Sequence, residues 1–191
     1  RYPRVDHVHH VGQAALAQAL AHGVAASHMS LIPCGVHATR FVNTEPRATL
    51  RVRHGVGADC FVVLVISALM RGHKRVEHLI EEVAQVQGDV LLWLDGHPEE
   101  PAIEVLARQR MGARCRITHV APGAVPELYR MADVLVHGAL EESFGLAVVE
   151  ALCSGLPVLV HDSAHFRWLT GSADSAVDMA RPGALALRLQ Q

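Results

Sequence analysis

Short apolar runs rich in Val, Ile and Leu recur along the chain and alternate with segments of helical period. The runs lie at 29–33, 61–68, 90–94, 116–120, 134–137 and 157–161. The helix-period segments lie at 11–21, 47–54, 75–86, 99–111, 126–131, 144–154 and 183–189, while 7–10 fits either element. Buried strands that alternate with helices are typical of parallel sheets, because parallel neighbours need crossover connections. The pattern therefore predicts an α/β fold with a doubly wound, Rossmann-like parallel sheet.

Composition places the chain among soluble globular proteins. Its 191 residues are 50% hydrophobic and 19% charged, which excludes a disordered chain and suits about one domain. The longest apolar run, 60–70, is far shorter than the ~20 residues of a membrane span. Lys and Arg (17) nearly balance Asp and Glu (19), so no basic field attracts nucleic acid. Neither nucleic acid nor a membrane span is predicted.

The cysteines and the first residue bear on location and completeness. The four cysteines are widely spaced, lie in or beside apolar runs and form no C-x-x-C pair. They are interpreted as reduced thiols of a cytoplasmic protein. The chain begins with Arg1 and lacks a signal segment, which is the expectation for a piece of a longer polypeptide.

Ligands of open parallel sheets bind beyond the carboxyl ends of the strands. Four successive predicted strands end at or beside a histidine, listed in chain order as His97, His119, His137 and His161. Two interpretations remain open, namely histidines tolerated at strand ends and the polar rim of a pocket.

Neither a metal nor a redox cofactor is predicted. The close cluster His7, His9 and His10 has no carboxylate or Cys at a usual ligand spacing. The glycines Gly55 and Gly57 precede a strand, whereas a dinucleotide-binding turn follows one.

The stretch 132–158 carries the most information, since a strand leads through a loop into a helix. Ser143 is predicted to cap that helix, and Gly145 lets a ligand approach the first-turn amides, which attract phosphate or sugar oxygens. Glu142 precedes the helix and Glu150 follows eight residues later. From spacing alone, two interpretations remain: hydroxyl acceptors at the two ends of an extended ligand, or a dipole-favoured Glu142 with a solvated Glu150.

Several motifs, in order, resemble the donor-binding domain of retaining GT-B glycosyltransferases of the large group-one family. The E-x7-E segment begins at Glu142-Ser143-Phe144-Gly145 and ends at Glu150, followed by residues 151–158. Residues 32–37 resemble the family's I-P-N-G-V-D loop, residues 74–76 its K-G segment and residues 129–134 its Y-x-x-A-D-V lead-in. The resemblance runs from about residue 27 to the end, and residues 6–23 resemble the linking strand and helix.

The resemblance implies a function and a set of site residues. A sugar would pass from a nucleotide diphosphate sugar, a substrate rather than a cofactor, to an acceptor, with no metal required. Lys74 would contact the diphosphate, Glu142 would be the catalytic residue that meets the transferred sugar, and Glu150 would hold the ribose. The donor-binding set is completed by Ser143, Phe144, Gly145 and Leu146.

The resemblance also implies a division of the chain. Residues 1–26 would be the linking strand and helix from an N-terminal domain that binds the acceptor, and residues 27–191 the nucleotide-sugar domain. That acceptor domain would be the partner of this chain. The chain would be the single C-terminal, donor-binding half of a GT-B enzyme.

The chain departs from the family pattern at three positions, and other functions remain open. Ala68 stands where the family often has a diphosphate-binding arginine, which leaves Arg71 or Arg75 to replace it, while Cys34 and His37 replace the loop's Asn and Asp. The alternatives are a nucleotide-sugar-binding module without transfer activity, a related GT-B epimerase or phosphorylase, and a His-rich metal-binding scaffold.

Overall fold

Strands and helices alternate through residues 5–42 and 44–191, which the structure, a computed structural model, describes. The strands are β1 (Val8–His10), β2 (Met29–Leu31), β3 (Phe61–Ile66), β4 (Val90–Asp95), β5 (Cys115–Thr118), β6 (Val134–Val136), β7 (Val158–His161) and β8 (Ala176–Val177). The helices are α1 (Gln13–Ala21), α2 (Arg47–Arg53), α3 (Val76–Val83), α4 (Pro101–Met111), α5 (Val125–Met131), α6 (Leu146–Cys153), α7 (Ala164–Thr170) and α8 (Ala184–Leu189).

Six strands form one parallel sheet in the order β5-β4-β3-β6-β7-β8. The chain builds outward from β3 to β5, then returns to place β6 on the other side of β3 and continues to β8. The strand order thus reverses between β3 and β6, where Leu64 pairs with Leu135. The predicted doubly wound α/β sheet is confirmed.

Both faces of the sheet are covered, as the uninterrupted apolar runs require. Along β3, Val63 and Val65 pack into one core with α3, α4 and α8, while Val62 and Leu64 pack into a second core with α2, α5, α6 and α7. Because successive side chains of a strand point to opposite faces, each central strand contributes to both cores.

The N-terminal segment forms a separate two-stranded parallel sheet. Residues 8–10, whose pattern fitted either element, are strand β1, and β1 pairs with β2 in the register His9 to Ser30. The predicted strand at 29–33 is therefore present but lies outside the large sheet. The predicted boundary between 26 and 27 stays a prediction, and the first four residues of the 1–26 segment lie outside the described residues.

Two elements were missed in the sequence. Helix α7 is capped at its start by Ser163, whose Oγ accepts from the Phe166 amide at 3.3 Å, and at its end by Gly171 with φ 66°. Strand β8 has two residues and extends the sheet beyond β7.

Candidate functional site

The strand-order reversal between β3 and β6 brings together two loops that are far apart in sequence. The loop after β3 carries Lys74, and the loop after β6 carries Glu142. Lys74 Nζ donates to Glu142 Oε2 at 2.6 Å, across the position where ligands of such sheets bind. Lys74 is also the only lysine among the 191 residues, since every other Lys or Arg position holds arginine. The two residues that the sequence predicts to bind the donor phosphate and the transferred sugar therefore lie side by side.

Glu142 is surrounded by groups that favour its ionised form. His137 Nε2 lies 3.2 Å from Glu142 Oε2, and His73 Nε2 lies 3.8 Å from it. The Ser143 amide donates to Oε1 at 3.0 Å. The contact with the His137 ring, then the Lys74 ammonium, holds the pKa of Glu142 well below its usual range, against the opposing effect of burial. The carboxylate is therefore an acceptor at neutral pH.

Glu142→Gln should lower stability more at neutral pH than in acid. A carboxyl whose pKa is lowered by folding stabilises the fold at pH values above its usual pKa of 4.5. This contribution decreases as the pH falls below 4.5 and is lost as the pH falls through the folded pKa. We expect wild type to exceed the variant by about 1 kcal/mol at pH 7, since the side chain is 12% exposed and paired. Urea unfolding at about pH 7 and about pH 3 measures the difference. A gap of equal size at both would assign the loss to packing.

Helix α6 begins two residues later than the motif suggests, and Ser143 is not its cap. The capping position is Gly145, whose φ of 103° favours glycine, and no side chain caps the helix. A Cβ there would lie 2.9 Å from Leu169 Cδ2, so glycine also permits close packing on α7. The prediction that Ser143 caps the helix is wrong, because the left-handed turn at Gly145 extends the loop.

This late start leaves unpaired backbone donors in the loop that carries Glu142. Among the described residues, the N–H groups of Phe144, Gly145 and Leu146 donate to no protein acceptor. Phe144 is buried against Trp168, with ring centroids 6.3 Å apart, and this contact fixes the loop. Free amides at a helix start are suited to binding phosphate or sugar oxygens.

Glu150 lies in the body of α6 and has a different partner. Its Oε2 accepts from the hydroxyl of Tyr129 at 2.8 Å, and Tyr129 is a buried residue of helix α5. Glu142 and Glu150 therefore do not share a proton, as the spacing predicted. Tyr129 was quoted only as part of a motif in the sequence, and no role was predicted for it.

A cavity of about 550 Å³ opens beside Glu142 and reaches the N-terminal segment. Its lining comes from α1, the loops after β3 and β6 and the start of α7, and includes His73, Glu142 and Ser143. Gly12 makes this arrangement possible, because a Cβ at that position would lie 2.2 Å from the Ser143 carbonyl oxygen. The predicted linking segment thus contacts the loop that carries Glu142.

The two arginines considered as replacements for the residue at Ala68 point elsewhere. Arg71 pairs with Glu100, with Nε 3.2 Å from Oε2. Arg75 Nη1 donates to the Met179 carbonyl at 2.9 Å. The backbone of Arg75 has φ 50°, a left-handed conformation, at the position that resembles the glycine of the K-G segment.

The strand-end histidines divide into different environments. His137 is buried beside Glu142, whereas His97 and His119 are exposed and meet edge to face at 5.8 Å. His161 Nδ1 accepts from the Met179 amide at 3.2 Å, which is a structural contact. Of the four, His137 belongs to the candidate site, as does His73 from the loop after β3; the sequence singled out neither within it.

Metal and membrane features were also sought. Within residues 5–42 and 44–191, no three His, Cys, Asp or Glu side chains are grouped so as to hold a metal ion. The metal-free site and the cytoplasmic location stay predictions. In the same described ranges, none of the helices has the length and apolar character that crossing a bilayer requires.

Sequence comparison shows what the chain resembles. Residues 47–186 match the family described as glycosyl transferases group 1. Lipopolysaccharide glucosyltransferase WaaG of Escherichia coli is 27% identical over 161 residues, which cover 80% of this chain and 42% of that protein. The chain thus spans less than half the length of this relative.

Two solved structures are similar to this chain in fold. Sucrose-phosphate synthase from Thermosynechococcus elongatus superposes with a TM-score of 0.84 and 26% identity, over 98% of this chain and 49% of that one. Anabaena HepE, in a complex with UDP and glucose, has a TM-score of 0.82 and 25% identity, over 95% of this chain and 52% of that one. In both, the chain matches about half of the solved protein.

Proposed function

Because the chain belongs to the group 1 glycosyl transferases, we propose that it binds a nucleotide diphosphate sugar and serves as the donor-binding part of a retaining glycosyltransferase. The family resemblance predicted from the motifs is confirmed by that match. The observation that carries the proposal is the pairing of Lys74 with Glu142 at the strand-order reversal.

Lys74 would bind the donor diphosphate. Its side chain is 21% exposed and contacts Glu142, which precedes the free amides in the loop after β6. When the sugar–diphosphate bond breaks, negative charge grows on the leaving phosphate oxygens, and an ammonium with backbone donors stabilises that charge. This arrangement supports transfer without a metal ion.

Glu142 would contact the transferred sugar. In the structure it borders the cavity of about 550 Å³, and its ionised carboxylate can accept hydrogen bonds from sugar hydroxyls. Ser143, Phe144, Gly145 and Leu146 would supply the surrounding loop and its amides. Retention of configuration rests on the resemblance of the E-x7-E segment alone.

The acceptor would be bound by a second domain, which we propose on two grounds. The chain spans 42% of the Escherichia coli relative and 52% of the Anabaena structure. The cavity beside Glu142 also reaches α1, in the segment predicted to link the two domains. Catalysis requires donor and acceptor to be held together in attack geometry, which one half of such a cleft does not provide.

Glu150→Gln should weaken the binding of ribonucleotides selectively. Glu150 would accept hydrogen bonds from the ribose hydroxyls, and because Tyr129 already occupies Oε2, one oxygen remains for the ligand. Losing one charge-assisted hydrogen bond costs about 1.5 kcal/mol, or roughly tenfold in affinity. Calorimetry with UDP and with 2′,3′-dideoxyuridine diphosphate, in the presence of a chelator, tests both the proposed nucleotide binding and the role of Glu150.

Wild type should bind UDP in chelator, and the variant should lose affinity for UDP only. ADP and GDP are titrated beside UDP, because the base is not fixed by the residues described. Binding that requires added metal, or no binding of any nucleoside diphosphate, would overturn the proposed function. An equal loss for the ribose and dideoxyribose ligands would remove Glu150 from the ribose site.

A further inference from the structure

The hydroxyl of Tyr129 is a buried polar group placed against a residue of the proposed site. Tyr129 is 1% exposed, and its ring meets Phe41 edge to face with centroids 6.0 Å apart. The ring is thus held by the core under α2, α5 and α6, and its position is fixed. A hydroxyl on a ring held in this way can orient the group that accepts its hydrogen bond.

Glu150 is that acceptor. Tyr129 Oη lies 2.8 Å from Glu150 Oε2 and 3.3 Å from the Ala147 carbonyl oxygen. A hydroxyl has one proton, and the shorter distance and negative charge direct it to the carboxylate. Burial, reinforced by the charge of Glu150, raises the pKa of Tyr129, so the hydroxyl remains a donor at all ordinary pH values.

The two oxygens of Glu150 are therefore unequal. Oε2 is committed to Tyr129, while Oε1 has no partner among the described residues and is open to solvent. Without the hydroxyl, the carboxylate would regain rotameric freedom, and a ligand would have to restrict it again on binding.

We infer that Tyr129 is a positioning residue of the nucleotide site, which holds Glu150 so that Oε1 faces the ribose hydroxyls of the bound ligand. The inference rests on the proposed function, since it requires that Glu150 contacts ribose. Tyr129 itself would touch no ligand. It would act through the orientation of one carboxylate.

Tyr129→Phe tests this role, because it keeps the ring and removes only the hydroxyl. The readout is the ratio of affinities for UDP and 2′,3′-dideoxyuridine diphosphate, or for the corresponding pair of whichever base binds. We expect the affinity for the ribonucleotide to fall three- to tenfold and that for the dideoxy ligand to change less than twofold. A purely structural hydroxyl would change both alike.

Two controls separate positioning from packing. Phe41→Leu loosens the same ring contact and keeps the hydroxyl, so it should alter both ligands equally or neither. In the Glu150→Gln background, Tyr129→Phe should produce no further change in the ratio, because the group it orients is already lost. Thermal unfolding checks that each variant is folded.

The outcomes distinguish this inference from the proposed function. If wild type binds no nucleoside diphosphate, both are wrong. If wild type binds and Glu150→Gln lowers the ratio while Tyr129→Phe leaves it unchanged or weakens both ligands equally, only the positioning role is wrong. A lowered ratio in Tyr129→Phe that disappears in the Glu150→Gln background supports it.

Discussion

Replacing Lys74 by alanine is expected to weaken UDP binding by roughly ten- to a hundredfold and to leave binding of uridine unchanged. In the proposed site the ammonium would make a charge-assisted contact to phosphate, and removing such a contact costs about 1.5–3 kcal/mol. Uridine lacks the diphosphate, so its binding should not depend on this contact. Calorimetric titration of both ligands against wild type and variant provides the comparison.

Arg71→Ala is the matched control for this result. It removes a cation from the same loop, but Arg71 pairs with the exposed Glu100, so we expect less than a twofold change. A large effect of Arg71→Ala would show that this arginine replaces the residue absent at Ala68. Equal losses of UDP and uridine in Lys74→Ala would remove Lys74 from the phosphate site.

Gly96→Ala is expected to destabilise the fold by about 2–4 kcal/mol. Gly96 follows β4 with φ 154°, and a Cβ there would lie 1.8 Å from the Ser67 carbonyl oxygen at the end of β3. The clash is with backbone, so the loop after β3, which carries Lys74, would have to move. Urea unfolding measures the loss of stability, and titration with UDP shows whether displacement of the loop weakens nucleotide binding.

Gly123→Ala is the control for that substitution. Gly123 has a negative φ, and a Cβ there would meet no heavy atom within 4 Å. We expect its stability to stay within about 0.5 kcal/mol of wild type. If Gly96→Ala were equally tolerated, the close contact between the two loops would not be required for the fold.

The sheet could be predicted because its signal extends over whole segments. β3 has six apolar residues in a row and β4 has five before Asp95, and helix α3 between them has a helical period of apolar residues. The two residues of β8 are too few to show any period, since their pairing is set by β7. Helix α7 did have signals, Ser163 and Gly171, but its apolar residues are interrupted by His and Arg.

The site was predicted less completely than the fold, because its contacts depend on how loops fold rather than on a local pattern of residues. Lys74 and Glu142 could be found because both lie in loops of a matched motif, and the structure places them together. The approach of His137 and His73 to Glu142 depends on how two loops fold back, which no local pattern encodes. The cap at Ser143 was predicted wrongly because the backbone of Gly145, not a side chain, ends the loop.

The single lysine makes this chain unusual toward reagents that condense with primary amines. Sixteen arginines supply the remaining basic charge of the side chains, and guanidinium groups resist such chemistry at neutral pH. Among side-chain amines, carbamoylation or acetylation would therefore fall on Lys74 alone, at the candidate phosphate contact. One such modification per molecule would remove the positive charge of Lys74 and its contact with Glu142, so amine-directed ageing of the side chains would act directly on the candidate site.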